Sequence, residues 1–281
     1  MSEKLKSTKI GLIANFLLLI IKLYFGLISG SLALLSDALN SFTDILASIG
    51  IYLAVKEGQK KNDSDHQFGH YAAEPLSAFV VSILAAILAF EILKSAVEKI
   101  ISPSILNVGL VTIGVVLLVL VTKSVLYFYF RSINKKEPSQ AMQAYMMDSK
   151  NDVGVSVIVL FGVAGAFLGY PMLDSVSAIL VSLYIFKNAF DLGKKNVNFL
   201  MGSSPEREVI YNFEKLILKN KKVKNTKVIA HYFGDTFHLD ITIKVDKELN
   251  VAKAHLIAEE VKKEILKQDD ISHVQVHVEP Y

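Results

Sequence analysis

Residues 31–55 read SLALLSDALNSFTDILASIGIYLAV, an apolar run broken by Asp37, Asn40 and Asp44. A helix needs about 20 residues to cross the hydrocarbon core, and this run is long enough. Ionisable groups inside such a span are costly and seldom accidental. Asn40 and Asp44 are four apart and share one helix face, with Asp37 on the same stripe one turn earlier.

The flanking sequence repeats the pattern. Ile10–Ser29 carries one charge, Lys22, and Leu76–Leu93 carries Glu91. Ile105–Thr122 and Val153–Leu173 carry none, and Asp174 opens a last stretch that runs towards Phe190. Six spans follow, with approximate limits 8–29, 32–55, 76–98, 106–130, 141–169 and 171–191. A mean hydropathy of +0.41 with only 20% charged residues agrees with an integral membrane protein. The net charge of +3 gives no case for nucleic acid. The absence of cysteine excludes disulfides, thiolate metal sites and cysteine nucleophiles, leaving oxygen and imidazole chemistry.

Basic residues set the expected orientation. Lys4, Lys6, Lys9, Lys56, Lys60, Lys61, Arg131, Lys135, Lys136, Lys194 and Lys195 collect on one side if the N-terminus is inside. The opposite loops near Gly30 and Gly169 have none and the third helix end supplies only Lys94 and Lys99, so both termini are expected in the cytoplasm of a multi-pass protein of the cell membrane. No small-residue cleavage site follows the first apolar run, which is read as a mature helix.

After Gly202 the composition becomes that of a soluble domain, expected over 203–281 and preceded by a transmembrane domain over 1–200. Ser203-Ser204-Pro205-Glu206 resembles a helix N-cap, and Val209, Ile210, Phe213, Leu216 and Ile217 recur at helical spacing. Lys227–Ile229 and Thr236–Val245 read as strands around a Gly234-Asp235 turn, Val251–Leu266 as a helix and Ser272–Glu279 as a final strand. The expected fold is an all-α bundle of six transmembrane helices plus a small cytoplasmic α+β domain of αββαβ order, ferredoxin-like.

On the fifth span Asp148 and Asp152 repeat the four-residue spacing. Two such pairs on antiparallel helices supply four oxygen donors converging on a divalent cation. The other reading is an exposed inner helix extension, since Lys150 lies beside the pair and uninterrupted apolar sequence begins only at Val153. Counting from the outer helix ends puts Asn40 at a depth of about 14 Å and Asp152 at about 25 Å, a mismatch for tilt to absorb. Asp37 and Asp174 fall nearer the outer mouth, as second-shell or pathway groups or as helix caps.

Three strings, SDALNSFTD (36–44), HQFGHYAAEPL (66–76) and MMDSKNDVGVS (146–156), resemble motifs of the cation diffusion facilitator family in the expected order. The resemblance covers nearly the whole chain. It implies a homodimer in the lipid bilayer that exports divalent transition metals from the cytoplasm in exchange for protons, with no organic cofactor. It also assigns the transport site to Asn40, Asp44, Asp148 and Asp152. Zinc-transporting relatives place histidine at one or more of these positions, and the pattern here is similar to the manganese-exporting branch. Carboxylate and carbonyl oxygens suit Mn2+, while Zn2+ and Fe2+ stay open as substrates because the affinity order favours zinc over manganese. Three aspartates close together would let metal and protons compete for the same oxygens.

The loop residues Asp63, His66 and His70 match a second metal site of some family members, although Asp63-Ser64-Asp65 also reads as a solvated turn. In the last strand His273, Gln275, His277 and Glu279 alternate with valines. His255 lies on the preceding helix, and His231, His238 and Asp240 on or beside the strands. The resemblance places His255, His277 and Glu279 at positions used for metal in the cytoplasmic domain, while Thr242 stands where one relative has a ligand histidine. A polar strand exterior is the plain alternative. Two other function classes fit a pair of aspartate-bearing helices: an intramembrane aspartyl protease, which leaves Asn40 and Asp37 unexplained, and an acidic cation channel.

Overall fold

The computed structural model describes residues 3–58, 60, 63–102, 106–136, 140–234, 236–268 and 271–281. Asp235 of the expected turn and Lys61 lie outside them. The first six elements are α1 (Glu3–Ser29), α2 (Leu32–Gly58), α3 (Ala73–Ile101), α4 (Leu110–Lys136), α5 (Gln140–Phe167) and α6 (Met172–Leu200). All six are long and apolar enough to cross a membrane. Next come α7 (Arg207–Ile217), β1 (Asn225–Phe233), β2 (Thr236–Val245), α8 (Val251–Ile265) and β3 (Ile271–Pro280), the αββαβ order expected.

Several boundaries differ for identifiable reasons. The fourth helix starts at Leu110 rather than 106, because Asn107 donates its N–H to Ser29 O and the helical ladder opens only with Thr112 and Ile113 donating to Gly109 O. The fifth ends at Phe167, where Gly169 takes a φ of +93° and Tyr170 donates its N–H back to Gly165 O. That left-handed closure favours glycine. The sixth continues well past 191, to Leu200. Within the expected cap string Ser203-Ser204-Pro205-Glu206 the cap position is Glu206, without a side-chain bond, and Pro205 precedes the helix rather than entering its first turn. Ser203 instead accepts the N–H of Tyr232, tying the segment to β1.

The chain folds as two compact units that interleave along the sequence, one of residues 1–48 and 81–191, the other of 49–80 and 192–281. The first unit is centred on Ala33 and Leu34 of α2, Ala89 of α3, Val116 of α4, Val155, Val159 and Val163 of α5, and Val181 and Ile185 of α6. Leu12, Ile13, Phe16, Ile20 and Leu27 of α1 point away from this core, as a lipid-facing helix requires. In the second unit β2 is central, antiparallel to β1 and parallel to β3. Leu239, Ile241 and Ile243 of β2 pack with Ile257, Val261 and Ile265 of α8 on one sheet face. The other face carries the polar alternation read from the sequence.

Small residues set the helix approach that matters most below. A Cβ on Gly162 would lie 2.6 Å from Ser177 Cβ and 3.2 Å from Asp174 Cα, so α5 and α6 touch at backbone distance there. A Gly162→Leu substitution forces them apart and is expected to cost about 1–3 kcal/mol. Gly154→Ala, at an open position, should leave thermal unfolding in detergent unchanged or slightly raised.

Candidate intramembrane cation site

The depth mismatch between Asn40 and Asp152 does not exist in the folded chain. Asn40 donates from Nδ2 to Asp152 Oδ1 at 3.1 Å, joining α2 to α5. The span ends are staggered. Asp174, in the first turn of α6, accepts the backbone N–H of Leu32 at 2.8 Å and of Ala33 at 3.4 Å, together with the Ser31 hydroxyl. It therefore satisfies the open N-terminus of α2. Gly162 abuts that same Asp174, so α2 begins level with Gly162 and α5 runs on beyond it to Phe167. Counted from that common level, Asn40 and Asp152 lie at nearly equal depth.

Asp152 is almost fully buried, and its second oxygen is held by Lys123 of α4, Nζ to Oδ2 at 2.5 Å. Lys123 is 2% exposed and also donates to Asn15 Oδ1 of α1 at 2.8 Å. One carboxylate thus gathers four helices. Asp44 and Asp148 are exposed, one helical turn from Asn40 towards the C-terminus of α2 and from Asp152 towards the N-terminus of α5. Asn40 and Asp152 therefore meet, so Asp152 is not part of an exposed helix extension, whereas Asp148 is exposed as that reading expected. The three carboxylates do not close to within 4.8 Å of one another; among the described residues only Asp63, His66 and His70 do so.

Asp37 lies between the N-terminus of α2 and Asn40. It lies inside α2, fully buried, with Lys22 Nζ 2.8 Å from its Oδ1 and the same ammonium donating to Ser41 Oγ at 3.1 Å. Asp174 is a cap, as one of its two readings had it. Lys22 and Lys123 are the residues the sequence reading left out of the site. Their signal was the lone charge each contributes to a span otherwise suited to lipid. Outward of Asn40 and Asp152, Asp37 Oδ2 and Ser156 Oγ are buried without a hydrogen-bond partner and extend the polar stripe on both helices.

The comparisons decide the family. Residues 8–201 match the model of the cation efflux transmembrane domain, and residues 205–281 that of the cation efflux protein cytoplasmic domain. The chain belongs to the cation diffusion facilitator family. It is 31% identical to the manganese efflux system protein MneS of Bacillus subtilis, over 96% of this chain and 93% of that protein. It is 32% identical to MneP of the same organism, over 98% of this chain and 96% of that protein. The cation-efflux pump FieF of Citrobacter koseri is 28% identical, over 94% and 88%. The chain is a multi-pass transporter of divalent cations with a cytoplasmic dimerisation domain, and its family is one of transporters rather than enzymes. Asp152 pairs with Lys123 rather than with a second carboxylate.

Histidines of this efflux protein all lie in the second unit. Around the loop, Asp63 Oδ1 accepts the N–H groups of Asp65 and His66 at 3.0 and 2.7 Å, and Asp63 Oδ2 is 3.4 Å from His70 Nε2. The His66 N–H, helped by that of Asp65 and by the His66 ring, holds the Asp63 carboxyl below the usual carboxylate range. His66 and His70 face each other with ring centroids 4.3 Å apart. The solvated turn and the three-donor cluster are thus the same structure.

The cytoplasmic-domain set divides along the sheet. His231, His238 and His273 are register partners across β1, β2 and β3, with Phe68 against His238 and His273. Asp240 pairs with Gln275 and Thr242 with His277, while Glu279 sits 3.5 Å from Lys244. His255 and Glu279 line a separate groove under α8. One seven-residue site is therefore not assembled within a single chain.

Burial pushes the His238 imidazole below its usual 6.5, with the charges of His273 and His231 adding to the effect and Asp240 opposing it. The folded form then binds fewer protons than the unfolded one, so stability is lost as pH falls below about 6.5. Melting of the detergent-solubilised protein at pH 7.5 and 5.5 should show this loss, and His238→Phe should reduce it. For the cap, Asp174→Asn should lower the melting temperature, by about 1–2 kcal/mol in stability, yet leave metal transport near native once corrected for folded protein. A pathway role would abolish transport instead.

Proposed function

We propose that this protein exports Mn2+ from the cytoplasm in exchange for protons, using Asn40, Asp44, Asp148 and Asp152 as the transport site, with both termini in the cytoplasm of the cell membrane. The observation that carries this reading is the Asn40–Asp152 hydrogen bond, which brings the polar stripes of α2 and α5 together inside the bundle. The donor set is three carboxylates and an amide. None of the chain's seven histidines lies on the membrane-spanning part of α1–α6. Oxygen-only sites suit manganese, whereas imidazole suits zinc. Two relatives at 31% and 32% identity are named manganese efflux proteins, which points the same way.

In this mechanism, rotation of the Asn40 amide would present its oxygen, and Asp44 and Asp148 would swing towards Asp152 to complete the coordination. Metal arriving from inside displaces protons, and protons arriving from outside displace metal. Asp37 and Ser156 lie on the outward side of the site, where their unpartnered oxygens would serve a water-lined exit. Asp63, His66 and His70 form a second metal site in the loop, and the dimerised cytoplasmic domain offers imidazoles for regulation. Zn2+ and Fe2+ are the competing substrates.

Reconstituted vesicles test this. Mn2+ uptake should stall when the proton gradient is collapsed, and Asp44→Ala should lose at least tenfold in rate. Asn40→His and Asp148→His should shift competition towards Zn2+. Unchanged selectivity in both histidine variants defeats the manganese argument, and uptake indifferent to the gradient indicates a channel.

A further inference from the structure

Both oxygens of Asp152 are engaged here, and the stronger of its two partners is an ammonium, whose charge opposes any cation at the same carboxylate. Lys123 reaches Asp152 Oδ2 at 2.5 Å from α4 and is 2% exposed, so no water screens the pair. Its other partner, Asn15 Oδ1 on α1, is 2.8 Å away. The ammonium thus holds two acceptors at once, one charged and one neutral, on different helices. With the three aspartates ionised, one fixed positive charge leaves two net negative charges, the number a single dication cancels.

We propose that Lys123 is a tethered competitor of the transported dication: it holds Asp152 in one arrangement and withdraws to Asn15 when Asp152 turns to metal. This rests on the transport-site reading of Asn40, Asp44, Asp148 and Asp152. The side chain does not have to change its protonation. It trades a carboxylate for an amide oxygen that already bonds it, so it is never stranded in the membrane without a partner. The tether weakens the site for every cation, which keeps bound metal releasable, and it balances the site for charge two. Lys22 does not compete in this way, because the carboxylate it holds is Asp37, about one turn from Asn40 and outside the transport set.

The test is Mn2+ binding to the full-length protein in detergent at pH 8, read by electron paramagnetic resonance of free Mn2+, with transport measured in vesicles. Lys123→Met should bind Mn2+ at least tenfold tighter, with a lower KM and a lower maximal rate, because release slows. A purely structural lysine would not tighten binding when removed. Equal or weaker binding in Lys123→Met, with Asp152→Ala losing the metal, overturns the competitor role and leaves the transport site standing. Native binding in Asp152→Ala overturns the transport site itself. Where Lys123→Met fails to fold, Asn15→Leu decides: removing the alternative acceptor should weaken Mn2+ binding severalfold, and unchanged affinity there overturns the proposal.

Discussion

A carboxylate carried into hydrocarbon needs a counter-charge within bonding distance, because the desolvation of an isolated ion exceeds what packing supplies. Asp152 meets that demand with Lys123 from α4 and Asn40 from α2, and Lys123 in turn recruits Asn15 from α1. Four of the six spans are thereby committed to one point. Between lipid-soluble helices no hydrophobic force selects partners, so polar contacts of this kind carry much of the specificity. Lys22 with Asp37 and Ser41 makes a second tie between α1 and α2 beside Asn40. The arrangement is costly to break from one side: losing a single partner of a buried pair costs about 3–5 kcal/mol in typical proteins.

That constraint explains which parts of the site were legible in the sequence. Asn40, Asp44, Asp148 and Asp152 announce themselves through i,i+4 spacing within apolar runs, and the structure brings α2 and α5 together there. Lys123 is easily passed over, because it follows directly on an uncharged run, although the expected span 106–130 already encloses it. Charge balance is the available clue: spans two and five carry paired aspartate positions, and Lys22 and Lys123 are each the lone charge within the apolar interior of spans one and four. The depth of Asn40 was misjudged because counting from helix ends assumes that all ends share a plane. Asp174 breaks that assumption by capping α2 from inside the α5–α6 hairpin.

The soluble part follows a different rule. Alternation fixed the sheet faces correctly, since period-two patterning needs no knowledge of neighbours. The grouping of histidines did require the register. His231, His238 and His273 become one row only when antiparallel β1–β2 and parallel β2–β3 are aligned, and neither alignment is written in local sequence. The shift of the cap to Glu206 has the same origin: the Ser203 carbonyl is used by Tyr232, a partner twenty-nine positions away in the chain.

Taken together, the donors are sorted by chemistry along the fold. The first unit offers only oxygen donors, and every imidazole sits in the second, with carboxylates such as Asp63 beside it. Under the proposed function this separation has a selective consequence. A metal that prefers nitrogen gains nothing extra from Asn40, Asp44, Asp148 and Asp152, but gains strongly from His66 and His70 or from the histidine row under Phe68. Transport and sensing can then favour different ions without any change of fold, because the discriminating side chains are on separate compact units. A single histidine moved into α2 or α5 would erase the distinction, which is why the identity of residue 40 carries more weight for substrate choice than the surrounding apolar helix.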